Sequence, residues 1–148
     1  MPKSVRAFVS DDGFVLLRGR DAEGNLAAPH DIWLHVENGP GAHVIIRRAC
    51  AGQEVPERTL VQAGVLAACK SWAAEAGKAG VVYAEARHVK TLRAAPPGAV
   101  RIDRAYCSRR VAIDNTLEDR LALEGRPGQA PGGPAQGRST GNGPKALS

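Results

Sequence analysis

Residues 31–47 constrain the fold more than any other stretch of the chain. Asp31-Ile32-Trp33-Leu34-His35-Val36 alternates between two faces, with Ile32, Leu34 and Val36 on one and Asp31, Trp33 and His35 on the other. Glu37-Asn38-Gly39-Pro40-Gly41 then breaks any regular element, and His43-Val44-Ile45-Ile46-Arg47 reads as a second strand. Two β-prone runs joined by a glycine bend predict an antiparallel pair, so the domain must be built on a sheet.

The flanking segments extend that sheet. Val5–Val9 is a short β-prone run, Ser10-Asp11-Asp12-Gly13 is a tight-turn sequence, and Phe14–Leu17 reads as the return strand. Pro56–Gly77 is the best helix in the chain. Pro56 suits a first helical position, and Glu57 sits well at the positive end of the dipole. Val61, Val65, Ala68, Cys69, Trp72 and Ala76 form its apolar stripe, and Gly77 is the expected C-cap. Val81–Val89 reads as a strand with Val82, Ala84, Ala86 and His88 on one face. Thr91–Gly98 reads as a connection, Val100–Ile102 and Arg110–Ile113 as short strands, and Thr116–Glu124 as a closing helix. The expected fold is α+β: a mostly antiparallel β-sheet packed against one long helix.

Composition divides the chain at Gly125. Residues 125–148 hold seven Gly, four Pro, three basic residues, no acid and no aromatic. Such a segment buries too little apolar surface to offset chain entropy, so a disordered C-terminal tail is expected after a single domain of residues 1–124. The whole chain carries 20 basic and 15 acidic residues, but residues 1–124 carry 17 and 15. Net charge therefore says little about nucleic acid. Charge distribution says more. Arg87, Lys90, Arg93, Arg101, Arg104, Arg109 and Arg110 face only Asp103 across 24 residues. Segregation of this kind is the electrostatic footprint of a nucleic-acid binder, and Arg47 and Arg48 extend it.

Several classes are disfavoured. The start of the chain has no apolar run of the signal-peptide kind, and no stretch reaches the ~18 apolar residues of a membrane span. Cys50, Cys69 and Cys107 form no Cys-x-x-Cys, so a reduced, cytoplasmic setting is expected. His30, His35 and His43 fall close together, but no carboxylate stands at a ligand spacing, and no metal or cofactor is expected. Strict phosphate loops and serine-nucleophile elbows are absent. The Gly39–Ala42 bend is glycine-rich enough for a phosphate to approach its amides, and equally reads as a hairpin that needs positive φ. Trp72, Phe8 and Phe14 read as core. Trp33, Tyr83 and Tyr106 remain to stack on bases. That is too few for a stacking reader of single strands, and shape and backbone recognition of structured RNA fits better.

These residues resemble a known family. The strand Asp31-x-Trp33-x-His35, then Gly39-Pro40-Gly41-Ala42-His43-Val44 with Arg47 after it, is similar to the signature of the NFACT-R domain. Asp12-Gly13 with Gly19-Arg20-Asp21, the Ala67–Ser71 segment, Val82-Tyr83, His88-Val89-Lys90 and Pro97–Val100 follow in the family's order, so the match runs from about Arg6 to about Asn115. The sequence departs from the pattern at Asp21, where the family has Asn, and at Ala42, where it has Ser. Each change removes help to a phosphate contact. The resemblance implies a stand-alone NFACT-R protein that binds tRNA or large-subunit rRNA without catalysis. Its setting would be translation quality control at the ribosome, or an adaptor role to a tRNA-modification enzyme. The implied RNA-binding residues are Arg20, Asp31, Trp33, His35, Gly41, His43, Arg47, Arg87, His88, Lys90 and Arg93. Two other readings stand beside it. One is an enzyme or enzyme subunit in RNA modification using His35, His43 and Cys107. The other is a protein-interaction module on the ribosome with the tail as a tether.

Overall fold

The computed structural model describes residues 5–19, 27–91 and 100–123. The tail, Arg20, Asp21, Arg93 and most of the Thr91–Gly98 connection lie outside these residues.

The fold is α+β, as the alternation patterns require. Strands β1 (Arg6–Val9), β2 (Val15–Gly19), β3 (Ile32–Val36), β4 (His43–Ile46), β5 (Lys78–Glu85) and β8 (Cys107–Ala112) form one sheet in the order β1-β2-β4-β3-β5-β8. Every neighbouring pair is antiparallel. Strands β6 (Val89–Thr91) and β7 (Val100–Ile102) make a separate small hairpin. Helix α1 (Glu57–Ala68) crosses one face of the large sheet, and α2 (Leu117–Leu121) is the last element among the described residues.

Local chemistry sets the turns. The Asp-Gly turn forms where expected, with Gly13 at φ +93° and its amide donating to Ser10 O. Asp11 and Asp12 then dock on α1: Asp12 accepts from Arg58 and Thr59, and Asp11 accepts from Gln62. Asn38 takes positive φ in the β3–β4 bend. There its short polar side chain tolerates the left-handed region.

Both faces of the sheet are buried. Phe8, Leu16, Ile32, Leu34, Val36, Val44, Ile46, Val81, Tyr83 and Val111 meet Leu60, Ala63, Leu66 and Ala67 of the helix. Each fully buried large aliphatic among them contributes roughly 1.5–3 kcal/mol. Gly64 lets the helix approach closely, since a Cβ there would lie 2.7 Å from Tyr83 Oη. The second face gathers Val5, Ala7, Leu17, Trp33, Ile45 and Ala84, with Val89, Val100 and Ile102 of the small hairpin packed on them.

Four expectations need correction. Helix α1 ends at Ala68, with Cys69 as its C-cap, well before Gly77. Beyond it the chain turns to pair with the glycine bend: Ala42 N donates to Lys70 O, Trp72 N donates to Pro40 O, and Gly41 bridges to Ser71. These tertiary bonds outcompete the helical propensity of the alanines. Trp72 is accordingly 52% exposed and not core. Strand β5 ends at Glu85, where the amides of Ala86 and Arg87 are captured by Asp31 O and Pro29 O, and residues 86–88 form a 3-10 turn. Trp33 and Tyr83 are buried, so neither offers a face to a base. Trp33 lies beneath the second apolar layer, and Tyr83 lies under α1, donating its hydroxyl to Leu60 O at 2.5 Å.

Candidate nucleic-acid interface

The expected site residues fall into two groups at opposite ends of β3. At its start, Asp31 is buried and accepts from Ala28 N (2.9 Å), Arg48 N (2.9 Å) and Arg47 Nη1 (2.7 Å). The carboxylate closes the loop before β3 and ties it to the end of β4. Arg47 is half exposed. Arg48 is buried and binds His30 O, Gln53 O and the Glu85 carboxylate. Burial works against the charge of Glu85, but hydrogen bonds from Arg48 and Arg87 outweigh it and hold the carboxyl below its usual range.

This end of the sheet carries an open polar cleft of about 280 Å³, lined by Glu85, Arg87, His88, Arg104, Ala105 and Tyr106. Tyr106 is 41% exposed, and the Arg48 guanidinium lies 5.8 Å from its ring centroid. An aromatic ring placed among arginines at a cleft is chemically suited to a base and its phosphate.

Along β3 from its second residue toward its other end, Trp33, His35 and the neighbouring His43 meet on one face. His35 stacks on Trp33 with 4° between planes and 5.9 Å between centroids, and the two imidazoles are 4.7 Å apart. Trp33 Nε1 donates to His43 Nδ1 at 3.1 Å. The His35 nitrogens lie 2.6 Å from Val36 O and 3.1 Å from Gly41 O, so the ring clamps the bend. Gly41 is required by packing: a Cβ there would lie 2.6 Å from that of Ser71. This cluster therefore holds the bend in shape. Among the described residues no group of three or more His, Cys, Asp or Glu is arranged to hold a metal. Cys107 packs toward the helix side of the sheet, away from the histidines, and burial pushes its thiol up.

The basic block divides on folding. Arg87 pairs with Glu85, Arg101 with Asp103, and Arg109 with Glu57 at the start of α1. Lys90, Arg104 and Arg110 are exposed and make no ion pair among the described residues. Strand alternation points Arg109 and Arg110 to opposite faces of β8.

Sequence reasoning missed a larger cleft. It holds about 530 Å³ between Arg6, Arg18, Gly19, Pro40, Gly41, Ala42 and Lys70. Its lining includes Pro40, Gly41 and Ala42 of the glycine bend, which the sequence marks for phosphate approach, but no local motif joins that bend to Arg6, Arg18 and Lys70. A second signal was the paired alternation of β1 and β2, which sets Arg6 against Arg18.

Comparison with known proteins agrees with this architecture. The family described as NFACT protein RNA binding domain matches residues 4–104. The Rqc2 homolog RqcH of Bacillus subtilis is 35% identical over 105 residues, covering 67% of this chain and 18% of that protein. The ribosome quality control complex subunit NEMF homolog of Drosophila melanogaster is 35% identical over 66 residues, covering 40% of this chain and 7% of that protein. The chain thus spans under a fifth of the length of either. The C-terminal part of the fibronectin/fibrinogen-binding protein of Streptococcus suis shares the fold, with a TM-score of 0.72 at 21% identity over 83% of this chain and 51% of that one. With Asp31, Trp33, His35, Gly41 and His43 knitted into one hairpin and the family match spanning the sheet and α1, the chain belongs to the NFACT RNA-binding domain family.

Proposed function

We propose that this domain binds structured RNA, either tRNA or large-subunit rRNA, without catalysing a reaction, and works in ribosome quality control in the cytoplasm. The observation that carries the reading is membership in an RNA-binding domain family. The Drosophila relative supports the setting, since its name makes it a subunit of the ribosome quality control complex. The site supports the mode: Arg87, His88, Arg104 and Tyr106 share one open cleft, with Lys90 and Arg110 exposed. Phosphate contacts position an RNA, and one exposed ring reads a splayed base. No helix among the described residues is long and apolar enough to cross a membrane.

A filter-binding titration with tRNA and with a large-subunit rRNA fragment, each at two salt concentrations, tests this. Binding that weakens steeply with salt is expected. No binding at low salt, or binding indifferent to salt, overturns it. Arg104→Ala should weaken binding across sequences, as loss of a phosphate contact does.

A further inference from the structure

We propose that the cleft between β1, β2, the glycine bend and the turn after α1 is a second RNA-backbone site, in which Arg6 and Lys70 contact a phosphodiester and Arg18 is their fixed support. This rests on the RNA-binding reading above.

Three cations line the cleft, and the Glu118 carboxylate pairs with two of them, Arg6 and Arg18. Lys70 is exposed, and the Arg6 side chain is 40% accessible. Arg18 is buried; it donates to Leu66 O at 3.2 Å and to Glu118 at 3.3 Å. Both guanidinium carbons sit over the Phe8 ring, at 5.2 Å for Arg6 and 5.0 Å for Arg18. Stacking from below and Glu118 at the side hold the two arginines before any ligand arrives. Preorganised cations lose less entropy on binding than free side chains.

Gly19, Pro40, Gly41 and Ala42 complete the lining. Among the described residues that line the cleft, none carries a carboxylate to repel an anion. The volume lies in the ~300–1,000 Å³ range of ligand sites, and the cleft is open to solvent, so a polymer can pass through it. Register puts Arg18 on β2 and Tyr106 next to the start of β8 in the same cross-strand row, four strand spacings or roughly 19 Å apart. A folded RNA reaches both clefts, and a mononucleotide does not.

The test uses the full chain with tRNA and the rRNA fragment. Lys70→Ala and Arg6→Ala should each weaken binding severalfold and flatten the salt dependence by about one unit of slope, and the double variant by about two. Arg58→Ala serves as a charge control, because it pairs with Asp12 at the far end of the β1–β2 hairpin. It should leave both readouts unchanged. Lys70 makes no side-chain hydrogen bond or ion pair among the described residues, so its variant keeps the fold, as a melting curve will show. If wild type binds and both cleft variants match it in affinity and slope, this site is overturned while RNA binding stands. If wild type does not bind, the parent reading fails as well. Inorganic phosphate at constant ionic strength supplies the last arm. Competition at millimolar phosphate that disappears in Lys70→Ala would identify a free-phosphate pocket and overturn the RNA assignment. Weak, nonspecific competition supports it.

Discussion

Arg6 and Arg18 stand directly opposite each other on β1 and β2 and share the carboxylate of Glu118, at 3.0 and 3.3 Å. Like charges in register destabilise a strand pair, and the carboxylate from α2 resolves the conflict. Two strands near the start of the domain are thus locked to its last helix.

Glu118→Gln should lower stability by about 1–3 kcal/mol, because buried Arg18 loses its charged partner. Burial opposes the charge of Glu118, but Arg18, Lys70 and Arg6 together hold its pKa below the ordinary value of 4.5. A depressed carboxylate contributes stability that is fully present above its unfolded pKa and is lost as pH falls through the folded one. The wild-type advantage over Glu118→Gln should therefore be complete at pH 7 and shrink below about 4.5. Chemical denaturation across that range checks it, and a constant difference would count against the pairing.

Tyr106→Ala should weaken RNA binding by about 1–3 kcal/mol, the contribution of one stacked base. Tyr106→Phe should retain most of the affinity, since stacking needs the ring and not the hydroxyl. Equal loss in both variants, measured by filter binding, would argue against stacking.

Trp33→Phe should destabilise the domain by about 1–3 kcal/mol. The substitution removes the indole N–H that donates to buried His43 and leaves a smaller ring in the second apolar layer. Any loss of RNA binding should follow the melting temperature. A variant of native stability with no RNA affinity would instead make Trp33 a contact residue.

The two tryptophans should separate by fluorescence. Trp72 is 52% exposed beside the larger cleft, and Trp33 is 3% exposed. Acrylamide should quench Trp72 alone, and Trp72→Phe should leave emission that resists quenching. RNA that enters the Lys70 cleft should change the Trp72 signal.

Gly41→Ala should cost about 1–3 kcal/mol through overpacking against Ser71 and Val36. A thermal melt of the purified variant reads it directly. No shift would mean that the bend and the 70–72 segment do not meet this closely.

Much of the fold was legible without coordinates, because its signals are short in range. Alternation in residues 31–36 and 43–47 and the Asp12-Gly13 turn are local properties, and each became the element it predicted. The motif Asp31-x-Trp33-x-His35 also identified the family. The roles of those residues were not legible. Asp31, Trp33, His35 and His43 hold the hairpin together through bonds to Arg48, Gly41 and each other, and such bonds form only when β3 and β4 pair. Trp33 is covered by a small hairpin whose strands come more than fifty residues later. Helix α1 stops where the glycine bend takes up its following backbone groups. The larger cleft needs residues 6, 18, 70 and 118, which no local pattern relates. Sequence alone determined the strands, the turn chemistry and the family. Which rings are buried, where the helix ends and which cations share a cleft depend on long-range contacts, and only the tertiary structure decided them.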